Sequence, residues 1–271
     1  MSAQKKITNV TVTSLRKMKQ AGEKIASLTS YDSSFTQVMN DEGVDVILVG
    51  DSLGMVVQGR QTTVPVTVDD IVYHSKAVAS TCKRPLLMVD MPFMSYYSTD
   101  KALQTAAQLM QEGKGQMVKL EGGQSEEKIV RKLSREGVPV CAHIGLQPQL
   151  IHKLGGYRVQ GRDEQQAKLM LDDALKLQDA GADALLLECV PSSLAAKITE
   201  NVEIPVIGIG AGAGCDGQIL VLHDILGLTP KAPKFSKDFL ADAGTIQGAV
   251  RAYVEQVKDG SFPSPEYSFN E

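Results

Sequence analysis

The sequence predicts an α/β fold, and within that class a single-domain (β/α)8 TIM barrel. Three observations carry the expectation. Short runs that are apolar on both faces recur along the chain and read as buried parallel strands. Helix-like stretches that stop at a glycine stand before several of them. The alternation also continues through eight strands in about 250 residues, the size and count of a closed barrel, whereas a doubly wound open sheet needs only five to seven.

The expected strands lie near 25–29, 45–50, 85–90, 116–121, 138–143, 184–188, 205–209 and 218–223. Asp41-Glu42-Gly43, Glu112-Gly113, Glu136-Gly137 and Asp179-Ala180-Gly181 each precede a strand. Glycine at that position accepts the left-handed backbone that ends a helix. Ala167, Met170, Leu171, Ala174 and Leu177 recur at helical spacing before Gly181 and predict an amphipathic helix there. Two connections are long, 51–68 and 144–165, and both would leave the carboxyl end of the barrel, where long loops serve as lids or binding loops. No Pro-, Ser- or Gly-rich linker interrupts the chain, so residues 1–271 are expected to form one domain. A short lead-in (about 1–14) and a loose tail with Pro263 and Pro265 (about 258–271) complete the expectation.

Composition excludes several classes. The chain is 43% hydrophobic and 22% charged, with a net charge of -4 and scattered basic residues, so no nucleic-acid footprint is present. No apolar run reaches the length of a membrane span, and the polar start lacks the apolar segment of a secretory signal. Cys82, Cys141, Cys189 and Cys215 show no CxxC spacing, which argues for reduced thiols rather than a zinc or disulfide framework. A soluble cytoplasmic protein is expected.

The chemistry is announced by four apolar runs that end in an acid: Asp51, Asp90, Glu121 and Glu188. An acid where a buried strand emerges is costly to bury, and four at equivalent positions suggest a cluster of negative charge at the catalytic end of a barrel. Asp51, Asp90 and Glu121 offer oxygen ligands to a hard cation such as Mg²⁺ or Mn²⁺; the alternative is that they cap helices or pair with surface bases. Lys119 shares a strand face with Glu121, two residues away. It would hold a substrate carboxylate, form a Schiff base, or pair with a neighbouring acid. Glu188 reads as a general base or as a further structural or ligating acid. His143, at the end of the fifth strand, is a core histidine or an outer partner of the site. Residues 212–217 fit GxGxxG, but the following residues look like another strand, so a turn or a phosphate-approaching loop remain equal readings.

Taken together the motifs resemble the ketopantoate hydroxymethyltransferase family. The segments are Thr29-Ser30-Tyr31-Asp32, Val49 to Met55, Asp90-Met91-Pro92-Phe93, Val118 to Gly123, His143-Ile144-Gly145-Leu146, Gly155-Gly156-Tyr157, Leu187 to Pro191 and Ile207 to Gly212. The resemblance implies a barrel of the phosphoenolpyruvate mutase/isocitrate lyase-like group. It implies transfer of a hydroxymethyl group from 5,10-methylenetetrahydrofolate, the co-substrate, to the keto acid 3-methyl-2-oxobutanoate, giving 2-dehydropantoate in pantothenate biosynthesis. It also implies one Mg²⁺ per subunit and a homo-oligomer, in many members a decamer. By position Asp51, Asp90 and Glu121 match the family's metal acids. Asp51, Ser52, Asp90 and Lys119 match its keto-acid contacts, and Glu188 matches its proton acceptor. Ser30, Ala142 and Gln147 depart from the usual family residues, and Ala142 is expected to add a methyl group beside His143. A Mg²⁺-dependent lyase of the same barrel group, acting on another 2-oxo acid, is the alternative.

Overall fold

A computed structural model describes residues 9–270. Its eight strands are β1 (Ile25–Thr29), β2 (Val46–Val49), β3 (Leu86–Asp90), β4 (Met117–Glu121), β5 (Val140–Gly145), β6 (Ala184–Glu188), β7 (Val206–Ile209) and β8 (Gly217–Leu220). All pair in parallel with their sequence neighbours, and β8 pairs with β1 to close the barrel. Closure explains the uniformly apolar runs. One face of each strand fills the barrel and the other packs on the helices, so the β2, β3 and β4 strands are buried at every residue.

The predicted amphipathic helix spans Glu164–Asp179, capped by Asp163, and buries Met170, Ala174 and Leu177. Gly43, Gly137 and Gly181 take the left-handed backbone expected of them, with φ of 84°, 81° and 99°. The fourth stop works differently. Lys114 adopts the left-handed turn (φ 63°), while a side chain at Gly113 would lie 2.5 Å from the Leu109 carbonyl. Residues 210–216 join β7 to β8 with no helix, and the Gln218 amide donates to the Gly212 carbonyl across that turn.

Three expectations change. β5 begins and ends two residues later than expected, so His143 lies within the strand, and Gly145 (φ 92°) ends it. The lead-in becomes helical from Val12, where Thr11 and Ser14 form a reciprocal cap; the part of it before residue 9 lies outside the described residues. The tail is packed rather than loose. Phe262 is buried against Phe239 and Tyr253, the Phe269 ring meets Phe235, and the Phe269 carbonyl accepts from the Ser192 amide. Two prolines suggested a frayed end, but three aromatic side chains near them bury enough apolar surface to fix it.

At the amino end of the barrel, acids that precede strands are each matched by a base. Asp45 binds Arg84 (2.8 Å) and Lys258, Asp183 binds Arg16 (2.7 Å), and Asp216 binds Lys19 (2.8 Å). The carboxyl end is balanced otherwise.

Candidate active site

Strand register assembles the carboxyl-end residues into layers. Asp90, Lys119 and Cys141 are in-register partners and therefore point the same way. One layer higher Glu121, His143 and Leu186 line up, and above them Gly145, Glu188 and Ile209. A cavity of about 410 Å³ opens over these layers, lined in part by Asp51, Asp90, Lys119, Glu121, His143 and Glu188.

Asp51 arrives by another route. Val49 shares the helix-facing side with Val89 and Val118, so strict alternation would turn Asp51 outward. The chain instead turns at Gly50, whose carbonyl accepts from the Leu53 amide, and a short helix (Leu53–Val56) follows. The turn buries Asp51 in the cavity wall, with its amide donating to Asp90 Oδ2 at 3.2 Å.

Lys119 is the cation of this cluster. Its Nζ donates to Asp90 Oδ1 and Oδ2 at 2.8 and 2.9 Å and lies 3.7 Å from Glu121 Oε1. Burial works against the ammonium, but the surrounding carboxylates outweigh it and hold the lysine protonated far into the basic range. An ammonium held by two hydrogen bonds to Asp90 is arranged for charge pairing, not as the neutral amine a Schiff base requires. Burial, then the Asp90 charge, pushes the Asp51 carboxyl up to about 7, and burial raises Glu121 well above the usual carboxylate range. When ionised, Asp51, Asp90 and Glu121 against one ammonium leave two uncompensated negative charges in a buried space. Glu121 Oε1 is buried and without a hydrogen-bond partner.

A divalent cation fits this donor set. It would neutralise the excess charge and take up the orphaned oxygen. Among the described residues no three His, Cys, Asp or Glu side chains converge into a ready-made cage, so solvent or substrate oxygens would complete the shell, as a Mg²⁺ site normally requires.

Glu188 stands apart. Its carboxylate makes no hydrogen bond among the described residues, and its side chain is 14% exposed at the cavity. Burial, eased by Lys119, sets its carboxyl at about 8. His143 lies between the acids, with Nδ1 3.6 Å from Glu121 and Nε2 3.4 Å from Glu188, both beyond hydrogen-bonding reach. Burial, then the Lys119 charge, holds it well below its ordinary value and therefore neutral. Ser52 Oγ lines the cavity and is 2.8 Å from the Tyr31 hydroxyl.

Ala142 corrects the sequence expectation. It is the in-register partner of Leu120 and Leu185 on the opposite face of β5 from His143, so its methyl group packs toward the helices and not beside the site. Ser30 is also remote in effect, its hydroxyl paired with Thr36.

Sequence reasoning missed Gln149 and Tyr96. Gln149 Nε2 donates to Asp51 Oδ2 (3.0 Å) and to the Met91 carbonyl (3.0 Å), its backbone amide donates to Glu121 Oε2 (3.0 Å), and its Oε1 accepts from the Tyr96 hydroxyl (2.7 Å). Neither residue lies on a periodic element. The one available signal was Pro148, which opens a 3₁₀ turn within the second long connection.

Comparison with known proteins bears on this geometry. A family model described as Ketopantoate hydroxymethyltransferase matches residues 9–265. The chain belongs to the ketopantoate hydroxymethyltransferase family. It is 59% identical over 261 residues to the 3-methyl-2-oxobutanoate hydroxymethyltransferase of Alkalilimnicola ehrlichii, covering 96% of this chain and 94% of that one. The protein of the same name from Halorhodospira halophila is 54% identical, with the same coverage. Among solved structures it is similar to phosphonopyruvate hydrolase in complex with oxalate and Mg²⁺ (TM-score 0.61, 12% identity, 95% of this chain and 93% of that one). It is also similar to oxaloacetate acetylhydrolase (TM-score 0.58, 16% identity, 93% and 99%). Such identities speak to the barrel alone, and the family match sets this chain apart from the lyases and hydrolases that share it. Among the described residues no helix is long and apolar enough to cross a membrane.

Proposed function

We propose that this hydroxymethyltransferase carries a one-carbon unit from 5,10-methylenetetrahydrofolate to 3-methyl-2-oxobutanoate, with Glu188 as base and Asp51, Asp90 and Glu121 as the acids that hold Mg²⁺. The observation that carries the reading is the division among the four acids. Three crowd around one ammonium, and the fourth is untethered with a carboxyl near 8. A general base is most useful when its pKa is close to the working pH.

Lys119 and Ser52 anchor the carboxylate of the keto acid. Bound Mg²⁺ supplies electrophilic stabilisation of the enolate formed when C3 loses its proton. Glu188 takes that proton, and C3 bonds to the methylene carbon. The two bonds from that carbon to the folate nitrogens break as water supplies the hydroxyl oxygen, leaving a hydroxymethyl group on C3 and releasing tetrahydrofolate. Folate, about which the acid cluster says nothing, fits the apolar remainder of the cavity beyond the keto acid, toward Phe235 and Val56. His143, neutral, excludes water between Glu121 and Glu188. The chain works as one barrel domain, in the cytoplasm and as a homo-oligomer, which the family resemblance makes a decamer.

The test is exchange of the C3 proton of 3-methyl-2-oxobutanoate in D₂O, with and without Mg²⁺ and 5,10-methylenetetrahydrofolate. Mg²⁺-dependent exchange, and product formed only with the folate, support the proposal. Absence of exchange under every condition refutes it.

A further inference from the structure

We propose that Gln149 is a positioning residue that sets the cation affinity of the acid cluster. The inference rests on the reading of Asp51, Asp90 and Glu121 as the cation site and assigns a residue that holds that site in shape.

Gln149 is buried (3% exposed) on the 3₁₀ turn Pro148–Leu150 that follows β5. It meets two acids, one at the end of β4 and one on the turn that follows β2. Its side-chain amide donates to Asp51 Oδ2, and its backbone amide donates to Glu121 Oε2. Each acid therefore has one oxygen held. What remains is Asp51 Oδ1 and Glu121 Oε1, the latter buried, 3.7 Å from Lys119 Nζ and without a hydrogen-bond partner. A carboxylate free to rotate about its last bond presents either oxygen, and the entropy lost on fixing one weakens binding. Pinning one oxygen of each acid removes that cost before the cation arrives.

The orientation of the amide is determined by its neighbours. Its nitrogen faces two acceptors, the Asp51 carboxylate and the Met91 carbonyl, and its oxygen faces the Tyr96 hydroxyl. Turned over, it would set an oxygen against two acceptors. Tyr96 is fixed in turn, because its hydroxyl lies 3.2 Å from the Glu121 carbonyl and accepts from the Glu121 amide at 3.3 Å. Both polar atoms of the Gln149 side chain are thus engaged, which leaves it no freedom to serve the cavity directly. It acts on the reaction through the acids.

The experiment measures Mn²⁺ binding by the full-length protein, from the electron paramagnetic resonance signal of free Mn²⁺. Gln149→Leu keeps the bulk and the backbone amide and removes the tether to Asp51. It is expected to weaken Mn²⁺ binding roughly 10- to 100-fold, the usual effect of losing a partner of a metal-ligating group. Activity should return at saturating Mn²⁺, which damage to the fold would not allow. Tyr96→Phe removes only the hydroxyl that holds the amide oxygen, and should weaken binding roughly two- to tenfold. This second variant decides the matter if Gln149→Leu does not fold. Wild-type Mn²⁺ affinity in a folded Gln149→Leu protein, or in Tyr96→Phe when that is the variant that decides, overturns the role of Gln149 and leaves the cation reading standing. Failure of the wild-type protein to bind Mn²⁺ overturns the cation reading, and this inference with it.

Discussion

Replacing Glu188 with glutamine keeps the size of the side chain and removes its capacity to take a proton. Two consequences follow from its surroundings. The first concerns rate. With a carboxyl near 8, about a tenth of the wild-type protein carries an ionised Glu188 at pH 7 and most of it does at pH 9. Exchange of the substrate C3 proton should therefore rise roughly tenfold over that interval and level off above it. Glu188→Gln should lose roughly 10²- to 10⁴-fold of the exchange rate and all of this pH dependence. The second concerns stability. The folded-state pKa lies above the ordinary value of 4.5, so the folded protein binds the extra proton between about 4.5 and 8. Its stability falls as pH rises through that window, by an upper limit on the order of 5 kcal/mol. The side chain is only 14% exposed, so solvent screening reduces this modestly. Glutamine escapes the penalty, and the variant should melt at a higher temperature than wild type at pH 9 and nearly with it at pH 5. The assay pairs NMR-detected deuterium incorporation with thermal melts at both pH values. Wild-type exchange in Glu188→Gln, or a wild-type profile flat from pH 7 to pH 9, would refute the assignment of the base.

The remaining expectations concern the acid cluster. EDTA should abolish both exchange and turnover and Mg²⁺ should restore them; full activity in chelator removes the cation from the mechanism. Because the Asp51 carboxyl sits near 7 before a cation binds, Mn²⁺ must displace a proton below that pH, and affinity should climb by up to about tenfold per unit as pH rises toward it. A titration series from pH 6 to pH 8 with constant affinity contradicts this. Lys119→Met leaves buried carboxylates uncompensated and should cost about 3–5 kcal/mol of unfolding free energy at pH 8. The raised lysine keeps its charge throughout the neutral range, so the pH dependence comes from the acids. The loss should shrink as pH falls below about 7 and Asp51 takes up its proton. Equal denaturant midpoints for variant and wild type at pH 8 would count against it.

The sequence by itself determined the barrel and marked the charged residues that gather at its carboxyl end. Parallel strands buried on both faces must be apolar throughout, so each strand was visible as a run, and an acid ending such a run was visible as an exception to it. Strand alternation, a purely local rule, put Lys119 and Glu121 on one face, and the structure has them there. Only tertiary structure decided the rest, because it depends on neighbours distant in the chain. Sequence places acids at both ends of the strands, Asp45, Asp183 and Asp216 before them and Asp51, Asp90, Glu121 and Glu188 at or just past their ends, but does not say which are paired. What separates them is that Asp45, Asp183 and Asp216 each meet their own base, while Asp51, Asp90 and Glu121 share Lys119 and Glu188 has no base of its own. Register across strands placed Ala142 away from the site, and a turn at Gly50 overrode alternation to bring Asp51 in. Gln149 lies 98 residues from Asp51 on an aperiodic turn, so no local pattern could announce a contact that exists only once β2, β4 and the loop after β5 have closed together.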